Sequence, residues 1–348
     1  MSVPGRNGAA DGWVADPSIT WRILLTADLV TPPHPHDVRT ALAALYAAQG
    51  WAGVGSVVTG DDVEALRRSL GEVPGAGLVV GLAGPTIVVS AHHSRVDGLG
   101  LLAVLTALTG GLVSSSARGV ADRPSGSGFV GTVGRRLLEV AAAPPARIAG
   151  SQRSTHARGD VYLATDVPGE HRTSDLVHAA AGAVVAHNGA RRTRHVAIAV
   201  GVSRAGGDQT QIADRSALLR LRDVERLDRQ DVRAALAVAP TQHLGGTSAG
   251  SGGGAVMRLG LKALAPRLGS TLLVSHLGTV SAPGVDHLAF HPVTAGGTGL
   301  SLGAVTLGQV GPVGASTTIT LRGRGRSWTR DGLEHLLEAI TRELRQQR

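Results

Sequence analysis

The stretch Ala91-His92-His93-Ser94-Arg95-Val96-Asp97-Gly98 joins two segments of different periodicity. Before it, Gly77 to Leu82 and Pro85 to Ala91 are apolar runs separated by Ala83-Gly84, a spacing that predicts a hairpin closed by a tight glycine turn. After it, Leu101, Leu102, Leu105 and Leu108 recur at helical intervals until Gly110-Gly111 stops them. The histidine pair therefore stands where a buried strand hands over to a helix. Neighbouring side chains of an extended segment point to opposite faces, so only one of His92 and His93 can face a given cleft, while the other packs or hydrogen-bonds within the fold. Asp97 lies four residues past His93, and Gly98 permits tight backbone geometry before the helix. From the residues alone two readings stay open: a catalytic pair, or two histidines satisfied by backbone contacts at a strand end. A metal site has little to build on, because no Glu or Cys accompanies the pair at ligand spacing.

Working outward, Ile19 to Leu29 has the length and branched residues of a strand. Asp37 is placed to cap a helix through Val38, Leu42 and Leu45, ending near Gly50, and Asp61 to Leu70 predicts a second, shorter one. From Val113 to Arg158 the composition shifts to Ser, Gly, Pro and Arg, with a helical interlude around Val133 to Ala143. Strand and helix patterns then recur. Asp160 to Ala164, Val196 to Val202, Ser216 to Leu221, Thr271 to Ser275, Leu300 to Leu307 and Ala315 to Leu321 read as strands, and Ser174 to Asn188, Asp231 to Val238 and Thr329 to Arg345 as helices. Gly245 to Gly254 is a loop without the lysine of a P-loop. The expected organisation is a leader over 1–18, an N-terminal lobe over 19–112 carrying the histidine motif, a crossover over 113–158 and a C-terminal lobe over 159–348. Two similarly built α/β lobes are expected.

Composition bounds the function. With 348 residues, 43% of them apolar and 17% charged, the chain has the balance of a folded protein of about two domains. Aromatics are only 2%, so there is little for bases or flat cofactors to stack on. The net charge of +8 comes almost wholly from arginines scattered singly or in pairs, Lys262 being the one lysine. That scatter argues against a nucleic-acid stripe and suits the phosphates of a coenzyme or carrier arm better. Zero cysteines remove disulfides, thiolate metal sites and a cysteine nucleophile. Leu99 to Val113, the longest nearly apolar stretch, falls short of the roughly 20 residues that span a bilayer, and Met1 to Asp16 has no signal-peptide pattern. No stable membrane insertion is expected, and the location is expected to be cytoplasmic.

His92-His93-Ser94-Arg95-Val96-Asp97-Gly98 resembles the His-His-three residues-Asp-Gly signature of the chloramphenicol acetyltransferase-like superfamily, which includes nonribosomal peptide condensation domains and wax ester and diacylglycerol synthases. The order of strand, helix, hairpin, motif and Leu-rich helix is similar to that family's. So are Thr173-Ser174-Asp175-Leu176-Val177-His178, Val200-Gly201-Val202-Ser203-Arg204 and Val274-Ser275-His276-Leu277-Gly278. The chain departs from the family in being shorter than a typical member and in placing His276 where many relatives carry asparagine.

The resemblance implies a V-shaped pseudo-dimer of two lobes with a tunnel between them. It implies His93 as general base, suited by an imidazole pKa near neutrality, with His92 as a packed support. Asp97 would pair with an arginine, Arg22 or Arg204 being the candidates, and Gly98 would serve conformation. Ser275 and His276 are implied as substrate-binding, with the oxyanion or the nucleophile as their target. No tightly bound cofactor is implied. An acyl-CoA or acyl-carrier-protein thioester is the expected cosubstrate, a small-molecule alcohol or amine the acyl acceptor, and an acyl carrier protein a candidate partner. Acyl transfer in specialised metabolism is the expected activity, with condensation-domain-like cyclisation and a noncatalytic binding module as alternatives.

Overall fold

The computed structural model describes residues 21–75, 77–120, 123, 144–154, 159–189, 195–204, 211–241, 270–294, 299–308 and 314–346. The expected leader, the helical interlude near Val133 and the Gly245 to Gly254 loop lie outside the described residues.

Two sheets organise the chain. The first contains β1 (Arg22–Leu29), β2 (Ser56–Thr59), β3 (Val79–Ala83) and β4 (Thr86–His92). Its edge is completed by β10 (Val285–His291), giving the order β10-β1-β4-β3-β2. Helices α1 (Pro35–Gln49), α2 (Val63–Gly71) and α3 (Gly98–Thr109) pack on it. The second sheet orders β6 (Asp160–Pro168), β12 (Ser316–Arg324), β11 (Leu300–Leu307), β9 (Leu272–Ser281), β7 (Ile198–Ser203) and β8 (Ser216–Leu221), with β5 (Ser114–Ser115) paired to β9. Its helices are α4 (Thr173–Asn188), α5 (Arg229–Val238) and α6 (Arg330–Gln346).

Local chemistry explains the elements around the histidine motif. The β3–β4 hairpin pairs Ala83 with Thr86 across Gly84-Pro85, and Gly84 takes φ +53°, the conformation that glycine supplies at the first turn position. All of β4 before His92 is buried, so its run of Ile87, Val88 and Val89 has apolar partners on both faces. Asp97 caps α3 by accepting from the Gly100 amide at 2.8 Å, and Gly110 ends it in the left-handed conformation. Asp37 does not cap α1. It lies in the first turn, while Pro35 opens the helix and the His34 ring accepts from the His36 amide at 3.3 Å.

The second core is built from the alanine-rich face of α4 (Ala179, Ala180, Ala183) against Leu336, Ile340 and Leu344 of α6 and the inward residues of β9, β11 and β12. The first core mixes Ile23, Leu25, Val89, Leu101 and Leu105 with Leu288 and Phe290 of β10. A strand from the sequence's C-terminal portion thus belongs, by hydrogen bonding and burial, to the first sheet, with Leu24 opposite His291. The lobe boundary drawn on sequence at 159 divides the chain but not this sheet.

Two buried arginines lie where the sheets meet, and the second crosses from one to the other. Arg22 on β1 donates to the Ser90 hydroxyl and to the carbonyls of Gly75, Gly77 and Ser90 at 2.8–3.0 Å, and burial pulls its pKa down to about 10. Arg322 on β12, fully buried, pairs with Asp160 at 2.7 Å and lies over the Tyr162 ring. It also donates to the carbonyls of Arg22 at 2.5 Å and Pro292 at 3.1 Å, reaching from the second sheet into the first.

A second joint is built on a titratable group. His287 on β10 sits between two carboxylates, with Nδ1 3.5 Å from Asp28 of β1 and Nε2 3.3 Å from Asp166 of β6. Thr86 donates to Asp28 and Thr318 to Asp166. The hydrogen bond to Asp166 raises the His287 pKa, against burial and the Arg67 charge, with the charges of Asp166 and Asp28 adding to the rise. The same bond from His287 lowers that of Asp166. A raised histidine stabilises the fold fully below its unfolded value, near 6.5, and loses that contribution as pH climbs through the folded value. The lowered carboxylate loses its share only as pH falls through its own folded value. The melting-temperature gap between wild type and His287→Gln is therefore expected to be widest in mildly acidic buffer and to close toward alkaline pH. A gap independent of pH would show that the clasp carries no charge.

Candidate active site

A cavity of about 370 Å³ opens where the end of β4 and the start of α3 meet β7, β8 and β9. Its wall is mostly apolar, with Trp21, Leu99, Leu218, Leu273, Leu277 and Phe290 among its residues. Polar groups enter at intervals, among them His93, Asp97, Thr173, Ser275, His276 and Arg118. A small apolar volume with few convergent polar groups has the character of a small-molecule site.

His93 is the first residue of the turn after β4, held by its amide donating to the Trp21 carbonyl at 2.6 Å. Its side chain is 16% exposed and lines the cavity. The ring Nδ1 is buried and lies 3.8 Å from Oδ1 of Asp214, a residue that does not line the cavity. His92 does not line the cavity. Its Nδ1 is 2.7 Å from the Ser94 hydroxyl and receives the Ser94 amide, while burial, then Arg22, lowers its pKa. The two rings thus have different surroundings, His93 at the cavity and His92 on the Ser94 turn.

Asp97 is 5% exposed. The arginine partner expected for it is absent among the described residues. Arg22 is spent on Ser90, Gly75 and Gly77, and Arg204 is exposed, its amide donating to the Arg215 carbonyl. Asp97 instead takes two backbone amides, Gly100 at 2.8 Å and Arg215 at 3.2 Å, and its own amide donates to the Ala213 carbonyl at 3.2 Å. Burial pushes its pKa up; the Gly100 amide opposes this, and Asp214 adds to it. A helix N-terminus and a crossing backbone satisfy this carboxylate because each offers an N–H that would otherwise need a partner. The consequence is a clamp holding segment 213–215, which leads into β8 of the second sheet, against the histidine motif.

Gly98 has no special φ. A Cβ there would stand 2.5 Å from Cδ2 of Leu277 and 3.1 Å from the Phe290 ring, so glycine lets the motif lie close to the cavity wall and a larger residue would require Leu277 to shift.

On β9, Ser275 and His276 both line the cavity. The expected strand end at Ser275 is overrun, since β9 continues to Ser281 and Gly278 takes φ +78° where a Cβ would meet the Ala117 backbone. His276 Nδ1 is 3.3 Å from the Thr173 hydroxyl at the start of α4, and its Nε2 is buried with no partner among the described residues. Burial pushes its pKa down to about 4, so the ring is neutral near pH 7. A neutral imidazole can offer Nε2 as donor or acceptor without carrying charge into the cavity.

The structure thus brings His93, Asp97, Gly98, Ser275 and His276 to one cavity and leaves Arg22, Arg204 and His92 outside it. Asp214, Thr173, Trp21 and Arg118 were not foreseen as site residues. The only local signal at Asp214 is the spacing Asp214-Arg215-Ser216, an Asx-type turn in which Oδ1 accepts from the Ser216 amide at 3.0 Å and hydroxyl at 2.6 Å. Among the described residues no group of three His, Cys, Asp or Glu is arranged to hold a metal ion, and no helix is long and apolar enough to cross a membrane.

No family model matches the sequence, and no curated protein does. Solved structures do match in fold. The first condensation domain of the calcium-dependent antibiotic synthetase, in complex with a substrate analogue, is 15% identical with a TM-score of 0.56, over 94% of this chain and 92% of that one. The epimerization domain from the third module of tyrocidine synthetase B is 13% identical at 0.51, over 93% and 90%. The EpoB NRPS cyclization-docking bidomain from Sorangium cellulosum is 13% identical at 0.51, over 93% and 80%. The chain has the two-sheet α/β fold of condensation and epimerization domains.

Proposed function

We propose that a chain with this fold, carrying His93 at the wall of an apolar cavity, is an acyl-transferring enzyme of the condensation type. The observation that carries the reading is the posture of His93. Its ring lines the cavity, with Nδ1 buried 3.8 Å from the Asp214 carboxylate.

In this mechanism an alcohol or amine lies in the cavity against Nε2. As its oxygen or nitrogen attacks the thioester carbonyl, its proton passes to Nε2, and the carbonyl electrons move onto oxygen. Collapse of the tetrahedral intermediate forms the ester or amide, expels the thiolate and returns the proton from His93 to sulfur. In this reading Ser275 and His276, both on the cavity wall, bind the oxyanion or the nucleophile. The cavity wall excludes water that would hydrolyse the thioester. The donor is an acyl-CoA or acyl-carrier-protein thioester acting as substrate, with no tightly bound cofactor, and the carrier protein is the partner this reading implies.

An intramolecular cyclisation on the same His93 is the second reading, favoured by a cavity of only about 370 Å³. The test is to supply purified protein with acetyl, octanoyl and benzoyl thioesters of coenzyme A and of N-acetylcysteamine, with and without a primary alcohol or amine. Free thiol is read by a chromogenic disulfide and products by intact mass. Transfer releases thiol only with acceptor present. An isomerisation releases none, and hydrolysis at the no-enzyme rate in every arm would sink the acyl-transfer reading.

A further inference from the structure

We infer that Asp214 is the positioning residue of His93: its carboxylate backs the Nδ1 edge and holds the imidazole in the Nδ1–H form, the form in which Nε2 acts as the base. The inference rests on His93 being the base.

Three observations from different parts of the chain converge on it. Nδ1 of His93 and Oδ1 of Asp214 are 3.8 Å apart, and both side chains are largely covered, at 16% and 10% exposure, so solvent screens their attraction little. Asp214 is itself fixed, since the amide and hydroxyl of Ser216 both donate to its Oδ1. The backbone on either side of it is fixed by the motif: Ala213 accepts from the Asp97 amide, and Arg215 donates to the Asp97 carboxylate. Asp97 therefore serves the base indirectly. It caps α3 and, through the same carboxylate, pins the segment that sets Asp214 behind the histidine.

Which ring nitrogen of a histidine carries the proton is decided by what the other nitrogen meets. A carboxylate accepts and never donates when ionised, so an imidazole edge facing one keeps its N–H there. When Nε2 takes the proton of the nucleophile, the ring becomes an imidazolium whose Nδ1 edge already faces a negative charge. When sulfur takes that proton back, the ring returns to the same tautomer, ready for another cycle. His276 lines the same cavity with its Nδ1 3.3 Å from the Thr173 hydroxyl, and among the described residues no carboxylate lies within ion-pair distance of its ring. The two histidines of the cavity are thus distinguished by their backing.

The test separates tautomer from charge. In 15N-labelled protein at mildly alkaline pH, long-range proton–nitrogen correlations assigned with His93→Gln are expected to show His93 as the Nδ1–H form. Asp214→Ala, which removes the acceptor, is expected to shift it toward the Nε2–H form. Asp214→Asn keeps the turn on Ser216 and an acceptor oxygen but loses the charge. It is expected to retain the tautomer and to lower kcat about 10- to 100-fold on the most rapidly consumed thioester of the panel, with KM within about twofold. Asp214→Glu, which restores the charge, is expected to recover part of kcat. A wild-type Nε2–H form, an Asp214→Ala spectrum like wild type, or an Asp214→Asn variant with unchanged kcat would each overturn the assignment. The tautomer is read without substrate, so a protein that consumes no thioester would defeat the functional reading while leaving Asp214 to be judged by the spectrum.

Discussion

Replacing His93 with alanine is expected to lower enzyme-dependent thiol release about 10²- to 10⁴-fold, the range over which a positioned general base acts. The melting temperature is expected to change little. The His93 backbone does its structural work through the amide bond to the Trp21 carbonyl, which alanine keeps, and the ring borders an existing cavity, so truncation enlarges that space without opening a new void in the core. His92→Ala is the matched control. Its ring is engaged with Ser94 and lies outside the cavity, so its loss is expected to reach kcat only through the shape of the turn. Equal losses for the two variants, with both folded, would remove the asymmetry on which the mechanism depends. Retention of full thiol release by His93→Ala would remove the base itself.

Arg322→Met is expected to destabilise the protein by about 3 to 5 kcal/mol, the usual cost of breaking a buried ion pair from one side. Asp160, 9% exposed at its side chain, would keep its charge with its partner gone. The carbonyls of Arg22 and Pro292 would lose donors, and the Tyr162 ring its cation. Adding Asp160→Leu removes the orphaned charge and is expected to recover a substantial part of the loss, because a hydrophobic pair of similar volume often does no worse than the ion pair it replaces. Chemical denaturation of the two variants measures both effects. A single variant within about 1 kcal/mol of wild type would mean that water substitutes freely at this joint. Since Arg322 also touches the backbone of β1 and the segment after β10, the loss is expected to reach the cavity by loosening how the two sheets meet, lowering turnover without any contact to substrate.

The elements nearest the motif were legible because their signals are local. The hairpin follows from two apolar runs around Gly84, and α3 from the spacing of Leu101, Leu102, Leu105 and Leu108. What escaped were features defined by distant partners. β10 reads Val-Asp-His-Leu-Ala-Phe-His, with two histidines and an aspartate that blur any apolar alternation. Its partner β1 is near the opposite end of the chain. β2 is four residues long and mostly exposed, too short for a pattern to register. The arginine expected for Asp97 came from the resemblance alone. Read on local rules, an aspartate directly before Gly98 and a Leu-rich helix is an N-cap, and that is one of its roles. Asp214 was invisible for a different reason. Nothing in its neighbourhood distinguishes it from any turn aspartate until Asp97 draws its segment across.

The placement of β10 also bears on how the chain is made. As synthesis proceeds from the N-terminus, β1 through β4 and the histidine motif emerge early, yet β1 has its second neighbour only once residues 285–291 have left the ribosome. Until then the edge of β1 exposes unpaired amides and carbonyls beside apolar residues such as Leu25, which invites pairing with other nascent chains. The edge of β1 from Leu24 to Leu29 is thus among the last to be sealed. A gene cut between the halves is accordingly expected to yield an aggregating first fragment, soluble only when the second is made beside it.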